Sequence, residues 1–132
     1  PIDVVCSKDF DNESEQKIFD ITKIDNDFQG MDACPKSLDL FKKVVMDSKT
    51  ILWNGPLGVF EFSNFSNGTK MLGDFISKST KEGAFSLVGG GDSVAAVKKF
   101  KIENKMSYVS TGGGAMLESL EGKDLPGINA LL

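Results

Sequence analysis

The chain contains no histidine and no arginine. Without an imidazole there can be no Ser-His-Asp triad, no histidine metal site and no imidazole proton shuttle. Without a guanidinium there is no bidentate fork for a phosphate or carboxylate, so an anion site must use lysine, backbone N–H groups or a metal. Cysteine is scarce as well. Cys6 and Cys34 lie far apart with no CxxC spacing, and they read as reduced cytosolic thiols. No apolar run approaches the roughly 20 residues that span a bilayer, and neither a signal nor a transit pattern stands at the front. Pro1 in place of Met leads us to expect a segment that begins inside a larger, cytoplasmic protein.

What is present is an ordinary globular composition: 132 residues, 40% hydrophobic and 26% charged. That suits one domain with a single core. Fifteen basic against 19 acidic residues leave a net charge of −4. Overall acidity argues against non-specific nucleic-acid binding, which needs a basic face to release counterions. Neither nucleic acid nor membrane is expected as a partner.

"PIDVVC" reads as a short buried strand, "KIFDITKI" as an edge strand and "DNDFQGMDACPKS" as turn-rich. Pro35 suits a first helical turn, with Leu38, Phe41, Val44 and Val45 predicted on one face of the helix that follows. Strands are predicted at 50–54, 84–88 and 106–110. Helices are predicted at about Asn64 to Lys81, at about Ser93 to Phe100, and over "AMLESLEG", closed by Gly122. Alternation of strand and helix with short connections is the pattern of an α/β fold, Rossmann-like, with a mostly parallel sheet and helices on both faces in three layers.

Three junctions, "WNGPLG", "LVGGGDS" and "VSTGGG", fall where a strand hands over to a helix or loop. In open parallel sheets these carboxyl ends form the ligand crevice. Glycine there lets a ligand approach the backbone, and the following helix aims unpaired N–H groups at it, which suits a phosphate. The spacing is neither GxGxxG nor GxxxxGK[ST], so neither dinucleotide nor Walker-type binding follows from it. Asp92 reads either as an N-cap or as a hard oxygen ligand for a Mg²⁺ escorting phosphates. Ser93 either caps the helix or donates to a phosphate oxygen. From the residues alone Glu61 is a solvated loop charge before it is a ribose ligand. Trp53 and its Phe neighbours read as core, and Lys98 and Lys99 as the exposed face of their helix.

Taken in order, "ILWNGPLGVFEF…GTK", "LVGGGDS" and "YVSTGGGAMLESLEGKDLPGINAL" closely resemble the C-terminal part of the phosphoglycerate kinase family. The resemblance covers essentially the whole chain and about the last third of a full-length member. It implies that residues 1–132 are a segment of the C-terminal, nucleotide-binding domain, with the N-terminal substrate domain absent. It further implies a glycolytic phosphotransferase with a carboxyl acceptor, monomeric at full length. That enzyme moves a phosphoryl group between 1,3-bisphosphoglycerate and MgADP to give 3-phosphoglycerate and MgATP.

Position by position, the resemblance places Gly30 beside the adenine and Asn54 and Pro56 near the phosphates and sugar. It places Glu61 on the ribose and Gly90, Gly91, Asp92 and Ser93 at the nucleotide phosphates, with Asp92 the Mg²⁺ carboxylate. Gly113 becomes a backbone donor toward the transferring phosphoryl, and Ser110 and Thr111 a hinge. Many members have glycine where this chain has Cys34, and a Cβ there is expected to tighten the turn before Pro35. The family's transition-state arginine, its basic substrate patch and its nucleotide-site lysines lie outside these residues, so the segment alone is expected not to turn over. A truncated parallel sheet is also expected to leave an unpaired edge and an uncovered apolar face. Two other readings stand beside the kinase: a non-catalytic nucleotide-binding module, and a Rossmann-type oxidoreductase, which the missing GxGxxG disfavours.

Overall fold

The computed structural model describes residues 1–132. Its parallel unit is β4 (Thr50–Asn54), β5 (Phe85–Gly89) and β6 (Tyr108–Val109), in that order across the sheet. The crossovers are α2 (Asn67–Lys81), entered through a 3-10 turn at Ser63–Phe65, and α3 (Gly91–Lys99). Two further helices follow the last strand, α4 (Gly113–Leu120) and α5 (Pro126–Asn129). The α/β class and the parallel sheet are therefore as the pattern of the chain requires.

The first strands form a sheet of their own. β1 (Asp3–Ser7) sits between β2 (Lys17–Asp20) and β3 (Gln29–Ala33), antiparallel to both. The connection Lys8–Gln16 contains no helix and brings β2 back antiparallel beside β1, and the helix-free Ile21–Phe28 then carries the chain across to β3 on the other side of β1. β3 falls in the stretch that local composition marks as turns. Pairing with β1 and burial of Met31, Asp32 and Ala33 override the weak strand propensity of glycine and aspartate.

The helix α1 (Pro35–Asp47) begins with Pro35 in its first turn. Leu38 is buried and Phe41 and Val45 half-buried, but Val44 is 68% exposed. At 100° per residue, Leu38, Phe41 and Val45 share a face and Val44 points about 120° away from Leu38. Ile76 and Leu72 of α2 join Ile51, Trp53, Val88 and Val97 in the larger core, while Phe75 and Met71 face Ala33 and Leu38 in a second. Helix α2 thus lies between the two sheets and serves both. Full burial of side chains such as Ile76, Val88 and Val97 stabilises by about 1.5–3 kcal/mol each.

On the opposite face of the parallel sheet α4 covers only the Gly89 end, where Met116 packs, and the rest is open. Leu52, Leu87 and Tyr108 are aligned in register, with Phe85 beside them on the same side. Leu52 is 44%, Phe85 50% and Tyr108 59% exposed. β4 has no partner on its outer edge. Both features are aggregation liabilities.

Two buried carboxylates tie the sheets to the helices. Neither α1 nor α2 has a side-chain cap from its own N-cap residue. Asp3 of β1 instead accepts the Ser37 N–H at 2.8 Å and the Lys36 N–H at 3.1 Å in the first turn of α1. Asp32 of β3 accepts the Gly68 N–H at 2.8 Å in the first turn of α2, and the N–H of Ala33. Each supplies the acceptor that the orphan N–H groups of a helix start require.

The two aspartates titrate in opposite directions. Burial disfavours the ionised form of both. At Asp3 the Ser37 hydroxyl and N–H and the Lys36 N–H outweigh it, holding the pKa below the ordinary value. At Asp32 burial wins over the Gly68, Ala33 and Asn67 N–H groups, and the pKa is pushed up to about 6. A carboxyl with a raised folded pKa binds its proton more tightly folded than unfolded. Stability from Asp32 is then greatest below about pH 4 and falls as the pH rises toward 6. Asp32→Asn keeps an acceptor for Gly68 and is expected to remove that fall, of order 2–3 kcal/mol. Urea midpoints of both proteins between pH 4 and 7 check this, and an equal slope in the two would contradict it.

Candidate functional site

The site is assembled at the carboxyl ends of β4, β5 and β6. Beyond β5 the chain turns at Gly90, whose φ of 87° lies in the left-handed region that side chains rarely adopt. That turn starts α3 at exposed Gly91, where a Cβ would meet nothing within 4 Å, and the first N–H groups of α3 have no partner within their own helix.

Asp92 lies in the first turn of α3 rather than at its cap. Its exposed carboxylate has no hydrogen bond or ion pair within the chain, so both oxygens face solvent. Ser93 is fully buried, and its Oγ accepts the Gly55 N–H at 2.6 Å. That contact fastens the β4 junction to the β5 junction.

The three glycine-rich junctions meet. A Cβ on Gly90 would lie 2.5 Å from Asn54 Oδ1, and a Cβ on Gly113 would lie 2.2 Å from the backbone nitrogen of Gly90. Asn54, Gly90 and Gly113 are therefore packed against one another. Ser110 is buried, with its N–H donated to Val88 O at 2.8 Å, and exposed Thr111 follows it before α4.

From Asn54 the loop continues past Pro56 to Glu61 along a cavity of about 410 Å³ lined by Val4, Gly30, Met31, Pro56, Leu57 and Val59, among others. The size and the mostly apolar walls suit a small aromatic ligand group. Gly30 and Pro56 share this cavity although one comes from β3 and the other from the loop after β4. Val59 N–H donates to Met31 O at 2.9 Å, joining the loop to β3. Beyond the cavity the carboxylate of Glu61 is exposed and makes no hydrogen bond within the chain.

Several contributors carried no signal in local pattern. Met31 and Val59 line the cavity from a strand and a loop that periodicity did not mark. Asp32 lies directly behind the loop, since a Cβ on Gly58 would come within 2.3 Å of its Oδ1. Lys99, expected to be a solvated helix charge, donates to Phe60 O at 2.7 Å and to Glu61 O at 3.0 Å. Cys34 does not tighten the turn before Pro35. Its backbone is extended, with φ −105° and ψ 166°, so a Cβ sits there without strain. The Cys34 thiol is pushed up to about 11 by burial and then by the nearby Asp3 carboxylate, so it is inert at neutral pH.

A resident metal site made by the protein alone is absent, because no three cysteine or acidic side chains come together. One free carboxylate at a helix start fits Mg²⁺ of the kind that is held by one or two carboxylates together with a ligand's phosphates.

The sequence profile of the family described as phosphoglycerate kinase matches residues 1–123. The phosphoglycerate kinase of Porphyromonas gingivalis is 55% identical over 130 residues, which are 98% of this chain and 31% of that protein. That of Thermosynechococcus vestitus is 47% identical over 131 residues, 33% of its length. The solved structure of phosphoglycerate kinase from Coxiella burnetii superposes with a TM-score of 0.90 at 42% identity, covering 98% of this chain and 33% of that one. The crystal structure of the kinase from Pyrococcus horikoshii gives 0.81 at 33% identity, covering 99% and 31%. The chain thus spans about a third of the length of the relatives it matches. With three glycine junctions meeting at the strand ends and relatives this similar over nearly all its residues, the chain belongs to the phosphoglycerate kinase family.

Proposed function

We propose that residues 1–132 supply the nucleotide-phosphate site of a cytoplasmic glycolytic kinase. That enzyme transfers a phosphoryl group between 1,3-bisphosphoglycerate and MgADP, giving 3-phosphoglycerate and MgATP. The observation that carries this reading is the convergence of Asn54, Gly90 and Gly113 beside the free carboxylate of Asp92.

The backbone N–H groups of Gly90 and Gly91 at the start of α3 take the nucleotide phosphates. Gly113, held against Gly90, presents its N–H where the transferring phosphoryl oxygens gather charge. Donors fixed by packing stabilise such charge without reorganising. Ser93, fully buried, holds the two junctions together from behind the phosphate site. Asp92 is the residue that would hold Mg²⁺, which when bound neutralises charge on the phosphates. Gly30 and Pro56 flank the base in the apolar cavity, Asn54 lies between phosphates and sugar, and Glu61 accepts from the ribose diol. The acceptor on 3-phosphoglycerate is a carboxylate, already ionised, so a chain without histidine lacks nothing as a general base. Ser110 and Thr111 would serve as hinge residues in the full-length monomer.

The segment by itself is expected to bind MgADP and not to turn over, since it has no arginine to neutralise the transition state. Trp53 gives the readout. Its indole N–H donates to Gly55 O at 2.8 Å, directly before Pro56 of the cavity, so a ligand there alters its emission. Titration with MgADP is expected to give a saturable change that weakens when Mg²⁺ is chelated, with no ATP formed from 1,3-bisphosphoglycerate. Preference for NADH, or no response to MgADP, overturns the reading. ATP formation by the segment overturns its inactivity.

A further inference from the structure

The loop between β4 and the 3-10 turn is fastened along α3 at two points. In the first turn of α3, Ser93 Oγ accepts the Gly55 N–H at 2.6 Å. In the last turn, Lys99 Nζ donates to the carbonyls of Phe60 at 2.7 Å and Glu61 at 3.0 Å, and lies 5.8 Å from the Phe60 ring centroid. Asp92 and Lys99 are seven positions apart, which returns a side chain to nearly the same helix face about 10 Å along the axis. One short rigid helix therefore carries the free carboxylate at its start and the anchor of the Glu61 backbone at its end.

Lys99 forms no ion pair, so its ammonium is committed to these two carbonyls. A last-turn lysine commonly faces water or the final carbonyls of its own helix. Here it reaches a different segment. Glu61 has no side-chain contact to hold it, which leaves backbone anchoring as the device that locates its carboxylate. Phe60, buried beneath the ammonium, fixes the other side of the same peptide.

We propose that Lys99 is a positioning residue for ribose recognition. By pinning Phe60 and Glu61 to α3 it sets the span between the Glu61 and Asp92 carboxylates. The site then selects nucleoside diphosphates that carry an intact ribose diol. The inference rests on the reading of Glu61 as the ribose acceptor.

Binding of MgADP and of Mg-2′,3′-dideoxy-ADP to the 132-residue chain by titration calorimetry tests it, with urea unfolding in parallel. The unsubstituted chain is expected to favour ADP by roughly 10-fold or more, the usual effect of hydrogen bonds to a charged group. Lys99→Met keeps the apolar stem over Phe60 and removes the donor. It is expected to bring the ratio to within about 2-fold of unity by weakening ADP and sparing the dideoxy analogue. Lys99→Gln gives the same readout should the Met variant not fold, and Lys99→Arg is expected to restore a preference for ADP. A purely structural role would lower the unfolding midpoint and leave the ratio unchanged. A folded Met or Gln variant that keeps the original ratio overturns the role of Lys99 and spares that of Glu61. No discrimination by the unsubstituted chain overturns both.

Discussion

Gly113→Ala is expected to cost the chain roughly 2 kcal/mol of stability and to abolish detectable MgADP binding at the same time. The added methyl would lie 2.2 Å from the nitrogen and 2.8 Å from the Cα of Gly90. Both are backbone atoms and cannot swing aside. Gly90 is held in its left-handed turn by the start of α3, with Asn54 Oδ1 close on its other side. The strain must therefore open the junction between β5 and α4, where the proposed phosphate donors Gly90, Gly91 and Gly113 lie. Gly113 stands in the first turn of α4, where alanine would otherwise be favoured over glycine by about 1 kcal/mol, so the steric term decides the sign. The neighbouring Gly114 is the control, since a Cβ there meets nothing within 4 Å. Gly114→Ala is expected to fold at least as stably as the unsubstituted chain, gaining up to about 1 kcal/mol, and to bind nucleotide. Urea unfolding and calorimetric titration of the pair check this, and equal behaviour of the two variants would show that close packing at Gly113 does not shape the site.

Asp92→Asn is expected to act in the opposite way, on binding and hardly on folding. The carboxylate makes no contact within the chain and is exposed. Its loss removes only a favourable charge at a helix start, worth about 0.3–1 kcal/mol. What it removes is the carboxylate proposed to hold Mg²⁺ at the start of α3. Mg²⁺ and ADP would then no longer assist each other's binding. Coupling of this kind is worth about 1–3 kcal/mol, or 5- to 150-fold in affinity. The variant is expected to bind ADP with the same affinity in Mg²⁺ and in chelator. Titration under the two conditions measures it, and a retained Mg²⁺ advantage would remove Asp92 from the metal site.

The junctions that the structure brings together were legible in the sequence. Asn54, Pro56, Gly90, Asp92 and Gly113 sit in contiguous motifs whose residue types match a phosphate-binding backbone. What could not be read was the division of labour inside those motifs. Asp92 stands one place before the serine that holds the loop, yet only Ser93 is buried and bonded to Gly55. Lys98 and Lys99 are adjacent and chemically identical, and only Lys99 reaches Phe60 and Glu61. Gly113 and Gly114 are neighbours in one triplet, and only one touches another junction. A shift of one residue rotates a side chain by 100° on a helix, and the packed neighbour it then meets comes from a distant part of the chain.

The order of residues by itself determined the α/β class, the parallel unit from residue 50 to 109, and the absence of imidazole and guanidinium chemistry. These follow from periodicity, composition and glycine placement, which are local properties. Tertiary structure alone decided that β1 to β3 form a separate antiparallel sheet and that Asp3 and Asp32 cap helices in place of the helices' own residues. It also decided that α3 splints the loop carrying Glu61. Each of these joins groups more than 30 positions apart, except the short strand pairings of the first sheet. Which partners meet at such separations is set by how the sheets and α2 pack together, and no window of local sequence contains that information.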